Sequence, residues 1–119
     1  MLTFEGYDSA GVLILSVEDS GFSGSDRQAS NREWLYSTVA TRDDPRFAVD
    51  LGAVSYLSSA DFGILISLKR RIDSRKGALV LYQVNPFIVE TLQTMRLATF
   101  FTIVADQKAA VSALGPKVE

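Results

Sequence analysis

The sequence predicts an α/β fold: a mostly parallel mixed sheet of four to five strands, about four helices, and an antiparallel edge strand at the N-terminus. Three observations carry that prediction. Short, nearly continuous apolar runs at 12–17, 47–51, 79–84 and 100–104 have the length of buried strands. The segments between the last three runs carry apolar residues at three- and four-residue steps, with capping and stop residues at their ends. From residue 47 the order is therefore strand, helix, strand, helix, strand, helix, an alternation that calls for parallel strands joined by right-handed crossovers.

The first clear strand is Val12–Val17, entered through the turn-forming Asp8-Ser9-Ala10-Gly11, and a shorter strand at about Leu2–Glu5 pairs with it as a hairpin. Residues 18–30, rich in Ser, Gly and Asp, read as a loop whose large apolar residue, Phe22, docks back on the core. Ser30 or Asn31 caps a helix from about Arg32 to Thr41 that has Trp34, Leu35, Thr38 and Val39 on one face and ends at Asp43-Asp44-Pro45. Phe47–Leu51 is a strand buried on both faces. After a turn at Gly52-Ala53 a long helix runs from about Ala60 to Arg75. Phe62, Leu65, Ile66 and Ile72 face inward, Lys69 sits at the edge, and Gly77 is the C-terminal stop. Leu79–Val84 is the next strand. Asn85 caps a third helix with Pro86 at its first position; it carries Ile88, Val89, Leu92 and Met95 and stops near Arg96-Leu97. Phe100–Val104 is the last strand, and Asp106 caps a final helix to about Leu114, closed by Gly115-Pro116.

The 119 residues suit one domain, 1–119, and 47% hydrophobic content supplies a core without covalent staples. There is no cysteine and no histidine, so thiolate chemistry, disulfides, imidazole ligands and the commonest general base are all absent. Carboxylates, hydroxyls and amines remain, an inventory that favours a binding module over an enzyme, with no metal and no cofactor. Gly21-Phe22-Ser23-Gly24 lacks the lysine and the strand–helix setting of a phosphate-binding loop. Asp50, at the end of a buried strand, is expected to satisfy nearby backbone amides rather than pair with Asp61 as a metal or acid–base site. Twelve basic and 14 acidic residues give a net charge of −2, which argues against nucleic acid as a partner. The basic cluster Lys69-Arg70-Arg71, with Arg75 and Lys76, reads as the solvated face and last turn of its helix. No apolar run nears the ~20 residues of a membrane helix and the first residues do not form a signal peptide, so a cytoplasmic location without membrane insertion is expected.

Phe47-Ala-Val-Asp-Leu51, then Val54-Ser-Tyr-Leu-Ser-Ser-Ala-Asp-Phe-Gly-Ile-Leu65, then Gly77-Ala-Leu-Val-Leu81, then Asn85-Pro86 with Thr91-Leu92 and Met95-Arg-Leu97, stand in an order and spacing that resemble a STAS domain. This is the fold of bacterial anti-sigma-factor antagonists and of the cytoplasmic tails of sulfate transporters. In the antagonists this turn commonly reads Asp-Ser-Ser-Gly-Leu or Ser-Ser-Ala-Gly-Leu and carries the phosphoacceptor as its second residue, which the resemblance places on Ser59. It implies a partner that is an anti-sigma factor with serine kinase activity: the unphosphorylated domain binds it, and phosphorylation of Ser59 ends the binding. ATP and magnesium would belong to the kinase.

Physical reasoning reaches part of this independently. A serine at the start of a helix after a strand lies at the carboxyl edge of a parallel sheet, where such folds place their sites. Its hydroxyl serves as a cap, a role open to Ser58 and Ser59 alike, and a phosphoryl group there adds about −1.5 to −2 of charge beside the helix N-terminus. The expected docking surface is Ser58, Ser59, Ala60, Asp61 and Phe62, the exposed face of the helix that follows, and Ser23 and Asp26 of the preceding loop. Phe22 and Tyr56 belong either to that surface or to the core. Asp61 replaces the family's usual glycine. It acts either as an N-terminal helix carboxylate or as a source of repulsion against phosphate, the latter favouring a scaffold that binds without being phosphorylated.

Overall fold

In the computed structural model, which describes residues 2–9, 11–19 and 25–114, the chain opens with a hairpin. β1 (Leu2–Ser9) pairs antiparallel with β2 (Val12–Asp19), from Leu2 opposite Asp19 to Ser9 opposite Val12. Gly11 supports the reversal at φ +82°, a conformation without penalty for glycine. β1 outruns the expected Leu2–Glu5 because Asp8-Ser9, polar enough to be assigned to the turn, lies with Gly6 and Tyr7 on a sheet edge where one side meets solvent. Asp8 there receives both guanidinium nitrogens of Arg42, at 2.9 and 3.2 Å, and this bond holds its carboxyl below the usual range.

Three parallel strands follow: β3 (Arg46–Asp50), β4 (Ala78–Tyr82) and β5 (Thr102–Val104). The sheet order is β1-β2-β3-β4-β5. The crossovers carry α1 (Ser25–Ala40), α2 (Ser59–Ser74) and α3 (Pro86–Thr94), and α4 (Gln107–Leu114) follows β5. Because the strands advance in one direction, crossovers of one hand lay their helices on one face. That face is the larger core: Leu35 and Val39 from α1, Phe62, Leu65, Leu68 and Ile72 from α2, and Ile88 and Leu92 from α3 pack with Leu13, Leu15, Phe47, Val49, Leu79 and Leu81 of the strands. The opposite face buries Val12, Ile14, Ala48, Val80 and Tyr82 with Ala110 and Leu114 of α4. Arg46 fixes the end of α4 by donating to the Leu114 carbonyl at 2.6 Å.

Other boundaries also differ from the sequence expectation. The supposed loop at 18–30 is divided: β2 continues to Asp19, and α1 begins at Ser25 rather than near Arg32. Ser25-Asp26-Arg27-Gln28-Ala29-Ser30 contains competent helix formers but no apolar repeat to announce them. Phe22 lies outside the described residues, as does Gly115-Pro116. β4 ends at Tyr82 because Gln83 turns to φ +54°. β5 begins at Thr102, since the amides of Phe100 and Phe101 both donate to the Leu97 carbonyl, at 3.0 and 3.2 Å, and are lost to any ladder. The stop after α2 falls on Lys76 at φ +61°, with Lys76 N–H donating to Asp73 O and Gly77 N–H to Ile72 O, both at 3.0 Å. Gly77 is required for a different reason: a Cβ there would run into the Pro45 carbonyl and the Ile72 side chain.

Tyr82 is 1% exposed, and burial, with smaller repulsions from Asp50 and Tyr7, raises its phenol to about 12. Among the described residues its hydroxyl makes one long bond, 3.5 Å, to Gln107 Oε1. An acid whose folded pKa is raised contributes stability that is complete below pH 10 and lost as pH climbs toward 12. Urea unfolding should show a loss of about 2 kcal/mol across that window in excess of that in Tyr82→Phe. Parallel pH profiles for the two proteins would count against the assignment.

Candidate functional site

The carboxyl ends of β3 and β4 feed the two segments that build the candidate site. Asp50 closes β3 by accepting the Gly52 amide on Oδ1 at 2.8 Å, the backbone role expected of it. Leu51 donates its amide to the Tyr82 carbonyl at 3.1 Å, and the chain then rises toward α2. Val54 and Leu57 plug into the core while Ser55 and Tyr56 between them face out, Tyr56 at 60% exposure. Asn85 holds this segment in place. Its Oδ1 accepts the Ile88 amide at 2.9 Å as the cap of α3, and its Nδ2 donates to the carbonyls of Val54 and Ser55 at 3.2 and 3.1 Å. One side chain thus caps one helix and clasps the approach to another.

The N-terminus of α2 is a reciprocal capping box. Ser58, extended at φ −78° and ψ 169°, accepts the Asp61 amide on its hydroxyl at 3.2 Å, and Asp61 Oδ2 accepts the Ser58 amide at 2.8 Å. The first helical hydrogen bond, Phe62 N–H to Ser58 O at 3.0 Å, closes the turn. Ser58 is therefore the cap, and Ser59 is the first residue of the helix. Ala60 is exposed.

Two residues expected on the docking turn point the other way. Asp61, at the third helical position, is 5% exposed, and Phe62, at the fourth, is 3% exposed within the larger core. Asp61 Oδ1 is buried with no hydrogen-bond partner among the described residues. Asp26 lies in the first turn of α1 rather than in a loop. Ser23 lies outside the described residues.

Sequence reasoning missed Phe87, which is 57% exposed just after the α3 cap. The available signal was its place off the Ile88–Leu92 stripe that α3 buries. Phe87 and Tyr56 adjoin the segments that Asn85 ties together, so two exposed aromatic rings belong to this edge.

The outer side of α2 continues the surface. Gly63, Ile66, Ser67, Arg70, Arg71 and Ser74 line a groove of about 460 Å³. A Cβ on Gly63 would meet nothing within 4 Å, so packing within the domain does not require glycine there. A glycine inside a helix costs about 1 kcal/mol relative to alanine, and here no contact within the described fold offsets it. The basic cluster sits as expected on this helix. Lys69 pairs with Asp73 at 2.7 Å and lies 5.0 Å from the Phe100 ring centroid. Arg71 covers the Tyr36 ring at 4.0 Å, and Arg75 donates to the Arg42 carbonyl at 2.8 Å. Among the described residues, no group of His, Cys, Asp and Glu is placed to hold a metal ion, and no helix is long and apolar enough to cross a membrane.

A family model described as STAS domain matches residues 8–110. The chain belongs to the STAS domain family. This STAS domain is 26% identical over 88 residues, 71% of the chain, to a Bordetella bronchiseptica protein named "Putative anti-sigma factor antagonist BtrV", of which it covers 76%. It superposes on an anti-sigma-factor antagonist (STAS) domain protein from Planctomyces limnophilus with a TM-score of 0.79 at 18% identity, covering 94% of this chain and 97% of that one. The phosphorylated form of SpoIIAA, a Bacillus cell fate determinant, matches with a TM-score of 0.61 at 11% identity over 93% of this chain and 98% of that one. At these identities the structural likenesses speak to the fold. The mixed five-stranded sheet with its antiparallel hairpin and helices is the STAS architecture that the sequence predicted.

Proposed function

We propose that this STAS domain is an anti-sigma-factor antagonist: it binds an anti-sigma factor with serine kinase activity in the cytoplasm, and phosphorylation of Ser59 releases it. The observation that carries the reading is the position of Ser59, first residue of α2, at the carboxyl edge of the sheet between exposed Tyr56 and the outer face of the helix. A relative named as an anti-sigma factor antagonist and a fold neighbour whose structure is of its phosphorylated form support it. The domain is the substrate, and the kinase holds ATP and magnesium. A partner seated on Ser58, Ser59, Ala60 and the groove beyond meets a neutral hydroxyl before transfer. After transfer it must desolvate about −1.5 to −2 of charge or let go. Gly63 fits such a partner, since the missing side chain allows another backbone close to the helix.

The test mixes the domain with ATP, magnesium and serine-kinase anti-sigma factors from the same genome, and reads intact mass and complex formation. One added phosphate, absent in Ser59→Ala, with loss of the complex on phosphorylation, is the expected result. A tight complex indifferent to ATP, with no mass change, replaces the switch by a scaffold, the reading that the buried carboxylate of Asp61 favours.

A further inference from the structure

Asp61 is a buried carboxylate in the turn that carries Ser59, and its surroundings are unusual. One oxygen accepts the Ser58 amide at 2.8 Å; the other is buried and, among the described residues, accepts nothing. The ion pairs given by the described residues, Arg42–Asp8, Lys69–Asp73 and Arg75–Asp43, do not involve it. A capping carboxylate draws on the partial positive charge of a helix N-terminus, and that charge is about half a unit. Here Asp61 already occupies it, at 5% exposure, where water screens poorly.

We infer that Asp61 is an electrostatic guard on the α2 N-terminus, opposing a second anion in the same turn so that the unphosphorylated, partner-binding state is the default. The inference rests on the reading of Ser59 as phosphoacceptor and adds its regulation. A phosphoryl group on Ser59 brings about −1.5 to −2 of charge into a turn whose dipole is already matched. Among the described residues, Oδ1 has no donor through which to disperse the repulsion. Phosphorylation would then need a kinase contact that supplies a cation at Asp61 or draws the carboxylate out of its box. Without that contact the transferred phosphate is held in an unfavourable place and the domain returns readily to the binding state once a phosphatase acts.

Charge and capping can be separated, because the box Ser-x-x-Glu/Gln accepts either side chain. Asp61→Glu keeps both the box and the charge, whereas Asp61→Gln keeps the box alone. Ser59→Glu is introduced into the original protein and into both variants, and thermal unfolding is followed by circular dichroism. The expected result is that Ser59→Glu lowers the midpoint by about 3–5 °C in the original and in the Asp61→Glu background, and leaves it unchanged or raised in the Asp61→Gln background. Should Asp61→Gln fail to fold, Asp61→Asn takes its place. In the kinase reaction of the preceding section, Asp61→Gln is expected to gain phosphate at least tenfold faster than the original or Asp61→Glu. Equal midpoint shifts in all backgrounds overturn the inference whatever the kinase does. A charge-dependent shift supports it even when no kinase phosphorylates any variant, an outcome that counts only against the phosphorylation reading.

Discussion

Replacing Asn85 with alanine is expected to remove about 2–3 kcal/mol of unfolding free energy and to loosen the Tyr56–Ser58 segment. The first part is the cap: Oδ1 takes the Ile88 amide at 2.9 Å, and loss of such a cap costs about 1 kcal/mol. The second is the clasp, since the Val54 and Ser55 carbonyls lose their donor, at about 0.5–1.5 kcal/mol for each bond. Asn85→Asp separates the two. Aspartate caps as well as asparagine and suits the helix dipole, but it turns an acceptor toward two carbonyls that had a donor. Urea unfolding should rank the original above Asn85→Asp and Asn85→Ala, and amide exchange should quicken between residues 54 and 58 in both variants. If Asn85→Asp matches the original in both measurements, the clasp contributes nothing.

Gly77→Ala is expected to be about as damaging, at about 2–3 kcal/mol, although alanine is the smallest change available. The added methyl would lie against the Pro45 carbonyl, the Pro45 ring and the Ile72 side chain. Of these the carbonyl has least freedom to move, because it accepts the Ala78 amide at 2.9 Å where β4 starts beside β3. Relief therefore requires parting the first rung of the central parallel pair. Chemical denaturation of the purified variant measures it directly, and a loss under about 0.5 kcal/mol would show that the Pro45 turn yields freely.

The elements that bury a repeated apolar face were legible in the sequence. β3, α2, β4, α3 and α4 were readable because their caps, stops and stripes agree, from the Asn85-Pro86 start of α3 to the Asp106 cap, whose Oδ1 accepts the Ala109 amide at 2.8 Å. The first half of α1 was not, because its residues are polar throughout and periodicity is silent there. Gly77 was found at the right boundary but with the wrong cause: Lys76 accepts the left-handed conformation, and only three-dimensional proximity explains the glycine. At the site, the sequence left the cap open between Ser58 and Ser59, and the capping box assigns it to Ser58. The inward turn of Asp61 and Phe62 needed the helix phase, and the clasp by Asn85 joins residues about thirty apart, a pairing that no local pattern carries.

The strands lie side by side in the order in which the chain presents them. No strand has to be threaded between two earlier ones, so during synthesis the hairpin can close alone and each crossover then adds to an existing edge, with a short loop to close each time. The edge proposed for docking keeps a different schedule. Ser59 emerges with α2, but the side chain that shapes the segment before it arrives only after β4, at Asn85. For the interval in which β4 is being made, the nascent chain has its serine without the clasp. The surface proposed to meet a partner is thus among the last features of this part of the domain to mature.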